Sequence, residues 1–354
     1  MREPRTVLVA GGSGVVGRQF CAMFARRHEG VRLLVSGRDL AQAEAVAADL
    51  PNATAVRMDV TGPDPLAAAS PLASGSLDAV LVLSGDPQLT LLGGALERGV
   101  PVVDASEQVL AVDPVLDLVA ASGAQVPVVL PVGWAASAVA VAATSLLGED
   151  EPYDHLTLHG LIRHDDRVGP AAAASLADLH RSMAVWQGGQ RRLARGFAEP
   201  RSVAFDAGRF RARRLSSGEQ DTLYEAKVAM GVAVRMAYDD RPRATGLALL
   251  VGTGAWTFLP RRLRAGLLHV PAAAGAPHEV RVSAYRGDVV RHLTVRDPAG
   301  RAHLAAASLV GQVERVLELG RARPRAGVSY PEQAIDLARD VESMRELGVG
   351  FEVA

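Results

Sequence analysis

The period of apolar and polar positions changes along the chain, and that change divides it. A short β-rich apolar run at Thr6–Ala10 leads through a glycine-rich segment into a helical pattern at Arg18–Arg27. Further runs of strand length follow at Val31–Val35, Ala55–Met58, Leu77–Leu83, Val100–Val103 and Val126–Leu130, with helical stretches at 40–50 and 88–98. Alternation of this kind builds βαβ units and so predicts a parallel sheet. From His155 onward the pattern shifts to strands with longer, irregular connections. Val228, Met230, Val232, Val234 and Met236 alternate with smaller or polar residues, the period of a half-buried strand. Val280–Arg286 and Val289–Arg296 around Gly287-Asp288 predict a hairpin, Asp297–Gly300 a turn, and 301–319 a helix. Ala171–Ala174 begins a further helix, with Leu176, Leu179 and Met183 on one face. Ile335, Leu337, Ala338, Val341, Met344 and Leu347 give Pro331–Gly348 an apolar helical face.

The segment after the first strand reads Gly11-Gly12-Ser13-Gly14-Val15-Val16-Gly17, satisfying both G-x-G-x-x-G and G-x-x-G-x-x-G. Glycine is needed there because the chain must turn tightly, admit a pyrophosphate against its backbone and pack the helix on the sheet. The N–H groups at the start of that helix then face the phosphates with a partial positive charge. Strand, glycine loop and helix together predict a dinucleotide site on Gly11, Gly12, Ser13, Gly14, Val15 and Val16. The second strand runs into Ser36-Gly37-Arg38-Asp39, where an NAD site carries an acid for the ribose 2′-hydroxyl. A carboxylate there would repel a 2′-phosphate, whereas a hydroxyl beside a guanidinium can hold one. Ser36, Gly37 and Arg38 therefore predict NADP(H). Asp39 is the contrary signal, and its place before a helix suits an N-cap. Asp59 and Val60 are expected near the adenine, and Ser84 and Gly85 at the end of the fourth strand complete the candidate cofactor residues.

The 354 residues suit two domains. The fold class expected is α/β: an N-terminal Rossmann doubly wound parallel sheet over 1–130, a second α+β domain on a mixed or antiparallel sheet over 131–325, and a C-terminal helix in 326–354 returning to the first domain. With 49% hydrophobic and 22% charged residues and a net charge of −1, nothing points to nucleic acid or an anionic membrane as partner. No uninterrupted apolar span reaches about 18 residues, and the N-terminus runs directly into a strand, so a cytoplasmic location is expected. The lone Cys21 cannot form a disulfide within the chain and sits among Phe20, Met23 and Phe24, where burial is expected. Basic charge is almost all arginine, with Lys227 the single lysine, and no Tyr-x-x-x-Lys pair occurs. Arginine is dense from Arg191 to Arg214 and again at Arg261, Arg262 and Arg264. A solvated surface accounts for both clusters, and a binding edge for a carboxylate, a phosphate tail or an acidic carrier protein is the sharper alternative. On a strand, His155 and His159 lie about 13 Å apart, too far to share a metal ion, so no metal is expected.

The chain resembles the saccharopine dehydrogenase-like (saccharopine reductase) family of NADP-dependent oxidoreductases. The likeness rests on Gly11–Gly17, on Ser84-Gly85-Asp86-Pro87, on Gly99-Val100-Pro101-Val102-Val103-Asp104 running to Glu107, and on a tail with Gly327–Glu332 and Leu347-Gly348-Val349. Where many members open the next helix with Pro-Gly, this chain reads Gly133-Trp134-Ala135-Ala136-Ser137. The resemblance implies reduction of a C=N bond formed between a carbonyl and an amine in a small metabolite, and a homodimer built through the second domain. Asp104 and Glu107 end the fifth strand, on the edge where open α/β sheets bind ligands, and are the candidate catalytic acids. A helix cap for Asp104 and a solvated position for Glu107 are their plainer readings. A keto or enoyl reductase and a non-catalytic NADP(H)-binding sensor or scaffold stand as alternatives.

Overall fold

In a computed structural model of the chain, the described residues are 4–69, 76–106, 112–148, 151–166, 169–269 and 276–354. They form two compact units, Met1–Val132 with Ala305–Asp336 and Gly133–Leu304 with Leu337–Ala354. The first begins with β1 (Thr6–Ala10), α1 (Val15–Arg27), β2 (Arg32–Gly37), α2 (Leu40–Ala47) and β3 (Ala53–Arg57). It continues through β4 (Ala79–Val82), α3 (Thr90–Glu97), β5 (Val102–Asp104), α4 (Val112–Ser122) and β6 (Pro127–Val129). The second holds α5 (Ala138–Leu147), β7 (His155–Ile162), α6 (Pro170–Leu176), and the strands β8 (Ser182–Gln187), β9 (Gln190–Arg195), β10 (Arg201–Phe205) and β11 (Gly208–Arg214). Then come α7 (Glu219–Glu225), β12 (Val232–Tyr238), α8 (Arg241–Gly252), α9 (Ala255–Phe258), α10 (Arg261–Leu268), β13 (His278–Arg286) and β14 (Val289–Asp297). The chain closes with α11 (Arg301–Val316), β15 (Gly327–Ser329), α12 (Leu337–Glu346) and β16 (Gly350–Val353).

The first unit is one all-parallel sheet in the order β15-β6-β5-β4-β1-β2-β3. Its central strands are buried along their whole length because helices cover both faces of a sheet wound this way. Leu8, Leu34, Val56, Val80, Val102 and Val128 share one face with Leu91, Leu92 and Val115 from α3 and α4. The strand order reverses between β1 and β4, which leaves a crevice at the carboxyl ends of those strands.

The second unit carries a mixed seven-stranded sheet, β10-β11-β12-β7-β13-β14-β16, in which β12 and β7 are parallel and the other pairs antiparallel. The hairpin expected over 280–296 is present as β13 and β14. The half-buried strand expected over Val228–Met236 starts later, at Val232, and is buried throughout. It lies inside the sheet between β11 and β7, with the small residues Ala233 and Ala237 on its second face. Two hairpins, β8–β9 and β10–β11, occupy the arginine-dense stretch that composition alone left without structure.

One expectation is corrected. The terminal helix does not return to the first unit: α12 packs on α5, and β16 then pairs with β14, all within the second unit. The return is made by α11 from Ala305 onward and by β15, which adds a seventh parallel strand through Gly327 N–H to Val126 O (3.0 Å) and Leu130 N–H to Ser329 O (2.9 Å). The apolar face of α12, with Val341 and Met344 buried, required some partner. The uniformly buried alanine and valine surface of α5 supplies it. No described helix is long and apolar enough to cross a membrane.

Candidate functional site

The glycine loop sits at the carboxyl end of β1, against the end of β4. Gly11 adopts a left-handed φ of +86°, and a Cβ placed on it would lie 3.2 Å from Ser84 N. Gly12 N–H closes the turn on Val9 O at 3.1 Å, and Gly14 N–H on Gly11 O at 2.9 Å. The helix begins at Val15, three residues before the expected Arg18, so Gly17 falls in its first turn beneath the loop. A Cβ on Gly17 would stand 2.3 Å from Gly11 O and 2.6 Å from Gly12 Cα. Gly17→Ala is therefore expected to cost about 1–3 kcal/mol by overpacking, and to weaken NADPH binding because the loop itself must shift. Thermal unfolding and calorimetry check both, and a variant with unchanged melting temperature and affinity would refute the assignment.

Among the described residues no side chain caps the helix end. Gly14 at the N-cap makes no side-chain capping bond, and the first turn holds no acidic residue. The first N–H groups of a helix have no partner within it. Ser13 is half-buried, Val15 and Val16 likewise, and Arg18 Nε bonds Ser13 O at 2.8 Å. Across the loop, Ser84 Oγ is buried without a hydrogen-bond partner. An uncapped helix end, a cleared backbone cradle and an orphaned hydroxyl fit a dinucleotide phosphate, the anion that such an end favours.

The turn after β2 divides its residues by the strand's alternation. Ser36 lies on the core face and its hydroxyl donates inward to Val9 O at 3.1 Å, so it ties β2 to β1 rather than facing the turn. Asp39 caps α2, accepting from Gln42 N (3.3 Å) and Gln42 Nε2 (2.9 Å). That leaves Arg38, exposed and without a hydrogen bond or ion pair among the described residues, as the group at the turn able to meet a 2′-phosphate. Asp59 is exposed and accepts from Thr61 Oγ1 (2.7 Å) and N (3.0 Å). Those bonds, helped by the charge of Arg38, hold its carboxyl below the usual range. Val60 packs half-buried on the core. Arg57 went unnoticed in the sequence; it is exposed at the end of β3, directly across from Gly37 in register. The signal was a second arginine one residue before the β3 turn. Removing the charge of Arg38 (Arg38→Gln) is expected to weaken NADP(H) by about 1.5–3 kcal/mol, the scale of a hydrogen bond to a charged group, while leaving NAD(H) unchanged. Calorimetry with both cofactors decides; equal losses for both would sink the role.

Gly85 is exposed, and the next residue, Asp86, is buried, its carboxylate accepting from Thr90 N (2.9 Å), Leu91 N (2.8 Å) and Leu92 N (3.2 Å). It fixes the start of α3 and so holds the Ser84-Gly85 turn. Asp104 ends β5, 7% exposed, and accepts Ser106 N–H at 3.0 Å. That bond closes a local turn at the strand's end. Burial pushes the Asp104 carboxyl up, against the pull of Ser106 and with a further push from the Asp86 charge. Such a group retains a proton above the ordinary aspartate range. Glu107 lies outside the described residues. Cys21 is fully buried, which pushes its thiol up to about 12 and removes it as a nucleophile.

Within the second unit, the segment 133–137 makes an unusual entry to α5. Ala135, Ala136 and Ser137 have φ of +46°, +51° and +65°, three successive left-handed residues, each costing about 1–2 kcal/mol. Buried contacts hold the turn in place: Trp134 N–H bonds the Glu219 carboxyl, Trp134 Nε1 donates to His278 Nε2 at 2.7 Å, and Gly133 N–H donates to Ser137 Oγ at 3.1 Å. Burial pushes the Glu219 carboxyl up and His278 down to about 3, so His278 stays uncharged at neutral pH. His155 and His159 share β7, as the alternation required, while the exposed His164 and the half-buried Asp165 and Asp239 form a cluster with Arg163 Nε 3.3 Å from Asp165.

Residues 7–129 match the family model described as the saccharopine dehydrogenase NADP binding domain. No curated protein matches the chain. Among solved structures, a dehydrogenase from Chromobacterium violaceum aligns at 11% identity and a TM-score of 0.47, covering 98% of this chain and 94% of that one. A myo-inositol dehydrogenase from Lactobacillus casei, in complex with NAD(H) and myo-inositol, aligns at 13% identity and 0.45, covering 99% and 97%. A probable dehydrogenase from Thermotoga maritima aligns at 10% and 0.47, covering 98% of each chain.

Proposed function

We propose that the protein is an NADP-dependent oxidoreductase that reduces an imine in, or formed from, a small amine-containing metabolite. The observation that carries this reading is the cleared glycine loop, with its uncapped helix end and the orphaned Ser84 hydroxyl, inside the segment that matches an NADP-binding domain. NADPH supplies a hydride when bound. Gly11, Gly12, Ser13, Gly14, Val15 and Val16 bind its pyrophosphate, Arg38 its 2′-phosphate, and Ser84 and Gly85 line the way toward the strand ends. Asp59 and Val60 border the adenine. Asp104 holds a proton on the carboxyl oxygen opposite the one engaged by Ser106 and delivers it to the substrate nitrogen; Glu107, three residues on, is the second acid of this proposal.

The test is NADPH consumption across a panel of imines, ketones and enones. Turnover confined to ketones or enones would reassign the reduced bond, and binding of NADPH without turnover on any of them would overturn the enzyme reading in favour of a sensor or scaffold. We further propose a cytoplasmic homodimer joined through the second unit's sheet, whose outer strands β10 and β16 leave edges that need cover. Light scattering at micromolar concentration is expected to give twice the chain mass; a monomer mass contradicts it. An acidic carrier protein is an alternative form in which the substrate could arrive at the arginine-dense hairpins.

A further inference from the structure

One face of the second unit's sheet carries a row of cations that hydride chemistry leaves unused. Register sets Arg214 across from Arg235, Arg235 across from His159, and His159 across from Arg281, on strands spaced about 4.8 Å apart. Like charges placed opposite one another weaken a sheet. At one end the charge is met locally: Arg281 reaches Glu279 at 2.6 Å and Asp206 at 2.9 Å. The other end is different. Glu199 lies 2.7 Å from Arg214 and 3.7 Å from Arg235, is itself half-exposed, and also feels Arg201. Three guanidinium groups thus share one carboxylate.

The burial there makes the imbalance informative. Arg235 is only 5% exposed and its Nε has no hydrogen-bond partner. Thr157, 8% exposed, lies two residues before His159 on the same face of β7, and its Oγ1 is likewise unpartnered, as is His159 Nε2. Buried polar groups are almost always paired, so three orphans around an under-neutralised arginine mark a place for an acceptor. We propose that this patch is an anion site, in which Arg235, flanked by Arg214 and Arg201 and by the Thr157 hydroxyl, binds a free oxyanion of the phosphate or carboxylate class. Burial first, then the Arg214 charge, holds the Arg235 guanidinium below its ordinary range, and burial with the Arg235 charge takes His159 down to about 4. His159 is therefore neutral at physiological pH and adds a hydrogen bond rather than a further charge. A bound oxyanion relieves the repulsion along the row and satisfies the orphans together.

The test uses the full-length protein saturated with NADPH, so that the nucleotide's own phosphate positions are filled. Inorganic phosphate is titrated by calorimetry and by thermal shift, against chloride at matched ionic strength, with mass measured by light scattering in the same buffers. Saturable phosphate binding is expected, weakened about tenfold to a hundredfold in Arg235→Gln, the range for a hydrogen bond to a charged group. A smaller loss is expected in Thr157→Val, which leaves every charge in place, and NADPH affinity should stay unchanged in both. Phosphate and chloride acting alike, or phosphate bound equally well by both variants, would overturn the site. So would an absent phosphate response together with Arg235→Gln converting a dimer to a monomer, because a second copy's carboxylate would then occupy the patch.

Discussion

Asp104→Asn is expected to slow NADPH consumption by about a hundredfold to ten-thousandfold, the usual contribution of a positioned general acid, with NADPH affinity unchanged. Asparagine can still accept the Ser106 N–H at the end of β5, so the turn survives and only the proton is lost. The pH profile provides the second readout. Burial holds the Asp104 carboxyl above the ordinary aspartate range, so the acid form persists as pH rises and is lost only through that raised value. The wild-type rate should fall across that interval, and the variant should show no such limb. An unchanged rate, or an unchanged profile, would remove Asp104 from the chemistry and leave Glu107 as the acid to test.

Glu314→Ala is expected to destabilise the first unit by about 3–5 kcal/mol, the cost of breaking a buried ion pair from one side. Glu314 lies on α11 at 1% exposure and gathers Arg27 (2.7 Å), His28 (2.8 Å) and Arg321 (3.0 Å). Burial alone would push its carboxyl up, but the His28 hydrogen bond with Arg321 and Arg27 outweighs burial and holds it low. A carboxyl lowered in the folded state stabilises above its unfolded value, about 4.3 for glutamate, and loses that stability as pH falls through its folded value. Denaturant titrations at neutral and acid pH should therefore show the wild type approaching the variant in acid. A variant within about 1 kcal/mol of wild type, the range of a surface pair, would show that the network is solvated.

Most of the first sheet could be read from the chain because its central strands are short apolar runs and most of its crossovers carry a helix, both local patterns. The glycine loop was equally legible as a spacing: Gly14 and Gly17 are demanded by contacts with Gly11 and Gly12 inside the loop, although Gly11 and Gly12 themselves clear Ser84, just past β4, and Val35 on β2. Side-chain direction was harder. Ser36 and Arg38 both looked like 2′-phosphate ligands, but the period of β2 sends Ser36 to the core and leaves Arg38 at the turn. Asp86, which the sequence offered only as part of a family landmark, holds the first N–H groups of α3, a role set by three backbone bonds that no motif announces.

By itself the sequence determined the period of most elements of the first unit, its parallel winding and the spacing of the glycine loop, and it raised the expectation of a 2′-phosphate at the turn that holds Arg38. These follow from local sterics, alternation and charge. Only the tertiary structure decided that β15, some 200 residues from β6, closes the first sheet by backbone pairing, and that α12 lies on α5. An apolar helix face states that it must be buried, and a three-residue strand such as β15 has too little pattern to be seen at all. The same is true of the meetings of Glu314 with His28, of Trp134 with Glu219, and of Arg235 with His159. Each joins residues far apart in the chain, where burial and opposing charge, absent from any local pattern, set the chemistry.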